Sequence, residues 1–346
     1  MNLLFKMISG FNGEKNSNRY GKYELNTIYL KNFSHYFIYL ILLFSSSFSP
    51  LLHAQSALNQ QANVNNLKIY INNIVHGSNT HRNYRNIVEL NRVAAWLKGQ
   101  MQQFGITCHY QDYIVDQQSY KNVICPLNVG ATDKYIVGAH YDVYGEQDGA
   151  DDNASGVAGV LETARLLQQN KANLKHNIDF VFYTLEEPPY FRTEQMGSYV
   201  HAKSIRDQTP QILGVYILEM IGYYSSQDIQ TYPTGLGLFY PKHGNFIAAI
   251  SNWNSRGLST NFCEKMSKLE QLQCERLIAP AFIHGVDFSD HGNYWKFNIP
   301  AIMITDTAFF RNAHYHLATD TIDRLNFQKM ANVVDGVVET LLNTAK

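Results

Sequence analysis

Three short apolar runs in this chain each end in side chains that can hold a metal, and that repetition constrains the fold more than any other feature. Tyr135-Ile136-Val137 leads to His140 and Asp142; residues 178–187, IDFVFYTLEE, end in Glu186 and Glu187; residues 212–219, ILGVYILE, end in Glu219. Apolar runs of this length, rich in Val, Ile and aromatic residues, read as buried strands. Helical patterns lie between them, over 155–169 and about 196–206. Strand and helix in alternation predict βαβ units: an α/β fold of three layers, with a mostly parallel twisted sheet covered by helices on both faces. Such sheets keep their sites beyond the carboxyl ends of the strands, which is where these polar side chains fall.

The surrounding motifs give that edge a specific chemistry. His140 and Asp142 form an H-x-D pair, followed by a loop with Asp151, Asp152 and Asn153 that runs through Ala154-Ser155-Gly156 into a helix. The residues alone suggest a zinc site, with His140 as a ligand, Asp142 holding the imidazole in the correct tautomer and Asp152 as a carboxylate ligand. Residues 312–323, NAHYHLATDTID, add His316 four residues before Asp320-Thr321. Two histidines and four carboxylates suffice for two zinc ions with one bridging carboxylate and another left free as a base.

In this order, H-x-D, D-N-A-S-G, E-E, the carboxylate of L-E-M-I-G-Y, S-D-H and H-x-x-x-D-T over residues 84–325, the sequence resembles the co-catalytic di-zinc exopeptidases. That family includes the bacterial leucyl aminopeptidases and the glutaminyl cyclases. The resemblance implies Asp152 as the bridge, His140 and Glu219 on one zinc, Glu187 and His316 on the other, and Glu186 as general base. Many relatives carry aspartate where Glu219 stands; glutamate is one methylene longer and can still ligate. His314 is the rival of His316, and the H-x-x-x-D-T spacing selects His316. Asp290, in the S-D-H segment, is equally well explained as a helix N-cap and is left outside the metal set, as is His291. Asp151 reads as a supporting or loop carboxylate.

The implied activity is zinc-dependent removal of amino-terminal residues from peptides with a free amino terminus, with an apolar preference suggested by nearby aromatic residues. Cyclases of the family typically lack the D-N-A-S-G continuation, present here at Asp152–Gly156, which favours the peptidase over a glutaminyl cyclase-like acyltransferase. A catalytically inactive binding domain of the same fold would be expected to have lost ligands, and all six positions are competent. G-x-S-x-G and H-E-x-x-H are absent, removing the nucleophile elbow and the thermolysin-type zinc helix. A formal net charge of −1 gives no electrostatic case for nucleic acid.

The amino-terminal stretch differs in character. Tyr36–Phe44, YFIYLILLF, is followed by a serine-rich break and by Leu52-His53-Ala54. This reads as a signal peptide over residues 1–54 with an overlong n-region and cleavage after Ala54; the run is too short for a stable membrane span. The expectation is therefore an exported protein, secreted or periplasmic, whose residues 55–346 form a single zinc-dependent exopeptidase domain. The four cysteines agree with export. Cys263 and Cys274 close a short loop and are expected to pair, and Cys108 and Cys125, on neighbouring strand-like runs, are candidates for a second bridge. Helices are expected at 57–76, 86–104, 243–256 and 326–342, strands at 106–115, 120–127 and 299–305, a short helix from Ser289, a loop with one short strand at 222–242, and an irregular excursion at 257–288.

Overall fold

The computed structural model describes residues 61–207 and 211–344, so the signal peptide expected over residues 1–54 lies outside the described residues. The elements follow in the order α1 (Val64–His76), α2 (Ile87–Gln103), β1 (His109–Val115), β2 (Gln118–Leu127), β3 (Asp133–His140), α3 (Gly156–Gln169), β4 (Asn177–Tyr183), α4 (Gly197–Ile205), β5 (Gln211–Glu219), β6 (Phe246–Ser251), α5 (Arg256–Leu269), β7 (Gln273–Ile278), α6 (His291–Trp295), β8 (Ala301–Thr305) and α7 (Phe327–Leu342). No described helix is long and apolar enough to cross a membrane.

The eight strands form one sheet in the order β1-β2-β4-β3-β5-β8-β6-β7. Its centre is parallel, as expected: β3 pairs with β4 and β5, and β5 with β8. The margins are mixed. β1 and β2 form an antiparallel hairpin, β2 runs antiparallel to β4, and β6 runs antiparallel to β8 but parallel to β7. The hairpin turn places Asp116 and Gln117 at φ 48° and 67°, the positive-φ pair that matches strand twist in a two-residue loop. Disulfide Cys108–Cys125 staples the segment entering β1 to β2, and Cys263–Cys274 joins α5 to β7.

Both faces of the sheet are covered. On one, Ala202 and Ile205 of α4 and Tyr294 of α6 share a core with Ile136, Val181, Val215 and Ile217. On the other, α3 packs on β3 and β5 and is itself covered by α1 and α7. α3 is buried from Gly156 to Ala164, because a helix held between a sheet and two further helices has no solvent face. Its one buried charge, Glu162, binds Arg165 through two nitrogens at 2.6 and 2.9 Å and accepts the backbone N–H of Asn63 at 2.7 Å.

The carboxyl half departs from expectation in three places. Residues 243–256 are not a helix: Phe246–Ser251 is a strand, buried along its length. FIAAIS is a continuous apolar run, which a buried strand and a buried helix share, and its length favours the strand. The excursion at 257–288 contains most of α5 and the edge strand β7. Within 222–242 there is no strand, only a 3-10 turn at Leu236–Leu238.

The Cys263–Cys274 bridge closes an 11-residue separation, worth roughly 3 kcal/mol in the chain-entropy description. The double variant Cys263→Ala/Cys274→Ala is therefore expected to lose about 3 kcal/mol of unfolding free energy in urea titrations. Thiol titration of the unreduced, denatured wild-type chain should find no free thiol among the four cysteines.

Candidate metal centre

β3 lies between β4 and β5. The chain leaving β3 crosses to β4 on one side, while the chain leaving β5 moves to the other, so a crevice opens where the topology reverses. Every polar strand end identified in the sequence meets there. His140 closes β3, Glu219 closes β5, and Glu186 and Glu187 follow β4 by three and four residues. Leu185, Met220 and His316, which immediately precede, immediately follow or are themselves candidate ligands, have φ of 61°, 45° and 58°. Non-glycine residues adopt this region at a cost, and such positions gather where side chains must be aimed.

Asp152 sits on a tight, partly non-helical segment, Ala150–Ser155, with a cis Asp152–Asn153 peptide bond. The D-N-A-S-G motif is what stitches this segment to β5. The Asn153 amide donates to the carbonyl of Leu218 at 2.9 Å, and its oxygen accepts from the N–H of Met220 and of Gly156 at 3.0 and 3.1 Å. Ser155 donates to the carbonyl of Asp151 and accepts from the N–H of Ile221. A Cβ on Gly156 would stand 2.3 Å from the Leu218 oxygen, so only glycine lets the loop approach this closely. From the far end of the chain, Asp320 accepts the N–H of Asp151 at 2.9 Å and of Asp152 at 3.0 Å.

The six candidate side chains converge into three overlapping groups whose ligand atoms all lie within 4.8 Å of one another: His140, Asp152 and Glu219; Asp152, Glu187 and His316; and His140, Glu186 and Glu187. Asp152 spans the first two. Its Oδ1 is 3.5 Å from His140 Nε2, and its Oδ2 is 3.1 Å from His316 Nε2. Glu219 Oε2 lies 3.4 Å from His140 Nε2 and accepts the Ser289 hydroxyl at 2.7 Å, so the longer glutamate side chain reaches the group. Glu187 Oε2 lies 3.1 Å from His316 Nε2. The His316 ring is held between Tyr144, stacked at 4.2 Å, and Tyr315, at 3.8 Å.

Asp142 sits beneath the pair of glutamates and the histidine together. One oxygen is 3.4 Å from His140 Nδ1, and its carboxylate accepts the N–H of Glu186 at 3.2 Å and of Glu187 at 3.1 Å. It thus fixes the backbone that aims both glutamates, which the H-x-D pattern alone did not reveal. His314 belongs to none of the three groups; its ring accompanies Thr319 and Tyr223. Asp151 is turned away to the N–H of Gly222 and the amide of Asn312. Asp290 stands at the start of α6 and is fully buried, but it makes no side-chain cap bond, so the N-cap explanation lacks the bond that defines it. Sequence reading missed Arg82 entirely. This buried guanidinium, 66 residues before Asp148, donates to the carbonyls of Asp148 and Gly149 and holds the approach to Asp152.

The electrostatics favour a cation. Asp152, Glu186, Glu187 and Glu219 are all nearly sealed from solvent, and buried carboxylates need compensating positive charge. Burial pushes Glu187 up to about 8, with Asp152 adding to the effect. Burial also drives Glu186 well above the ordinary carboxylate range, with His140 opposing and Glu187 reinforcing. For His316, burial disfavours the charged ring, but Asp152 and Glu187 outweigh it and raise the pKa to about 10. Despite these short separations, His140 Nδ1 and Nε2, His316 Nε2 and Glu187 Oε1 make no hydrogen bond. Buried nitrogens and oxygens that crowd together without bonding to each other fit a shared metal ion, and a mixed imidazole–carboxylate set suits zinc.

The profile of Peptidase family M28 matches residues 122–341. The chain belongs to this family. It is 43% identical over 273 residues to the uncharacterized protein YfbL of Escherichia coli K12, a match covering 76% of this chain and 83% of that one. A probable leucine aminopeptidase of Trichophyton verrucosum is 26% identical over 229 residues, 63% of this chain, and the match spans only 55% of the fungal protein. Among solved structures, the LapA aminopeptidase of Legionella pneumophila superposes with a TM-score of 0.65 at 20% identity, over 81% of this chain and 71% of that one. A glutaminyl cyclase of Bacteroides thetaiotaomicron bound to N-acetylhistamine superposes with a TM-score of 0.63 at 19% identity, over 83% of this chain and 99% of that one. At such identities the likeness establishes the fold, which M28 peptidases therefore share with cyclases.

The Asp320 bonds carry a prediction for this M28 chain. Asp320→Ala leaves the backbone N–H groups of Asp151 and Asp152, beside the candidate-ligand carboxylate, without their acceptor. Zinc affinity, measured by competition with a chromogenic chelator, should fall about 10–100-fold, the usual cost of losing a residue that orients a ligand, with the circular dichroism spectrum retained. Unchanged affinity would refute this account of Asp320.

Proposed function

We propose that this M28 chain is an exported, zinc-dependent aminopeptidase that hydrolyses amino-terminal residues from peptides, with two zinc ions per chain. The observation that carries the reading is Asp152 standing between two complete groups, one with His140 and Glu219, the other with Glu187 and His316. Zinc held by these residues supplies Lewis acidity that lowers the pKa of water and polarises a carbonyl.

The remaining chemistry belongs to the chain. Glu186 lies among the ligand groups, 3.9 Å from His140 Nε2, and is the one glutamate not needed to complete either group around Asp152. It acts as the general base that takes the proton from the attacking water and returns it to the leaving amine. Asp142 fixes it in place through the backbone N–H. The nearby carboxylates attract the positive amino terminus of a peptide, which suits an exopeptidase.

Export is supported by the two disulfides, which form in oxidising compartments, together with the signal-peptide pattern of residues 1–54. The domain then comprises residues 55–346. A glutaminyl cyclase shares the scaffold, and the second ligand group argues for the peptidase: sharing a hydrolytic water benefits from two metals, whereas cyclisation turns the substrate's own amine onto its side chain.

Metal analysis of the purified protein should find close to two zinc ions per chain, with activity lost to chelators and restored by zinc. Glu186→Gln should retain both ions and lose roughly 10²–10⁴-fold in kcat, the usual worth of a general base, while Glu187→Gln should lose zinc. The reverse pattern would exchange the two roles. Incubation with a leucyl or arginyl peptide and with a glutaminyl peptide decides the reaction: released amino acid supports the peptidase, and pyroglutamate without any released amino acid overturns it.

A further inference from the structure

The ligand groups open onto a cavity of about 410 Å³. One cross-strand row runs along its floor. Glu219 on β5 pairs with Thr305 on β8, Thr305 with Ala248 on β6, and Ala248 with Glu275 on the edge strand β7. Residues in such a row point to the same face, and all four line the cavity. Strands lie about 4.8 Å apart, so Glu275 sits roughly 14 Å from Glu219, measured between Cα atoms.

Between these carboxylates the lining is mainly apolar, floored by Phe246, Ile250, Met303 and Leu277 and walled by Phe288 and Phe310, with Thr305 the polar member of the row. Glu275 is the carboxylate at its far end. It is half-buried, pairs with no cation among the described residues, and its one described hydrogen bond comes from the Gln273 amide at 2.5 Å. Beside it in the same cavity the rings of Tyr232 and Tyr240 are stacked at 5.7 Å. Burial raises the Glu275 pKa, the signature of a carboxylate lacking a positive partner.

Resting on the peptidase reading above, we propose that this cavity receives the side chain of the amino-terminal residue and that Glu275 selects a cationic group on an apolar stem, arginine ahead of lysine. With the amino terminus at the ligand groups, the methylene stem lies over the apolar floor, as long basic side chains do elsewhere. An extended arginine reaches roughly 7 Å from its Cα and a glutamate roughly 4 Å, by simple bond lengths; together they cover most of the row. Leucine, reaching roughly 2.5 Å, stops far short of Glu275. The flat guanidinium can also pair with a carboxylate through two nitrogens and stack on tyrosine, which the lysine ammonium cannot match. The apolar preference suggested by the aromatic walls becomes, on this reading, a preference for what lies along the stem.

The zinc-loaded enzyme is tested on fluorogenic amides of arginine, lysine, norleucine and leucine. Arginine should exceed norleucine at least tenfold in kcat/KM, with most of the difference in KM. Glu275→Gln should lower the arginine-to-norleucine ratio at least tenfold, and Glu275→Lys should bring it below one. A ratio unmoved by both variants, or a wild-type preference for norleucine, overturns the inference while leaving the peptidase reading intact. If no amide is cleaved, the peptidase reading fails separately, and the pocket is then judged by calorimetry on the Glu186→Gln protein. Tighter binding of an arginyl than a norleucyl dipeptide supports the selection by Glu275, and equal binding refutes it.

Discussion

Everything around the crevice follows from the burial of negative charge. Asp152, Glu186, Glu187 and Glu219 are withdrawn from water within reach of one another, an arrangement whose desolvation and mutual repulsion cations or protons must offset. Among the described residues, the imidazoles of His140 and His316 and the guanidinium of Arg82 stand nearest as the protein's own positive groups. Arg82 is committed to the backbone carbonyls of Asp148 and Gly149. The acidic excess therefore suits the cluster to a metal cation, and the supporting bonds keep the excess in one geometry: Asp142 beneath the glutamates, Asp320 behind Asp152, Ser289 on Glu219.

Those supporting bonds also explain which sequence patterns were informative. Strand ends can be read because an apolar run that stops in a histidine or glutamate has few alternative interpretations. The D-N-A-S-G run could be noticed as a pattern, but its purpose is visible only in space: Asn153 and Ser155 make backbone bonds to residues 218–221, more than sixty positions away. Arg82 had no local signal at all, since one arginine in a polar segment looks like any solvated residue. Asp290 misled for the opposite reason, because a carboxylate before a short helix is a common cap and nothing local reveals that it makes no cap bond.

The misread strand at 246–251 has a related cause. Its two faces are both covered, by α5 on one side and by the loops over the cavity on the other, so the alternation that marks a half-exposed strand is missing. The same double covering lets β6 and β8 form the apolar floor beside the metal groups. A stretch whose secondary structure was ambiguous in sequence is thus the one that extends the site sideways from the parallel centre of the sheet to the edge strand.

The bonds from Asp320 to the backbone of Asp151 and Asp152 also show how far apart in the chain the parts of the candidate centre lie. The candidate ligands are gathered from positions 140 to 316, and the brace on Asp152 reaches back 168 residues from Asp320. Contacts of such sequence separation raise the contact order, and topologies rich in them fold slowly. The geometry of the centre therefore belongs to the assembled sheet and its loops together, and no single local segment carries it.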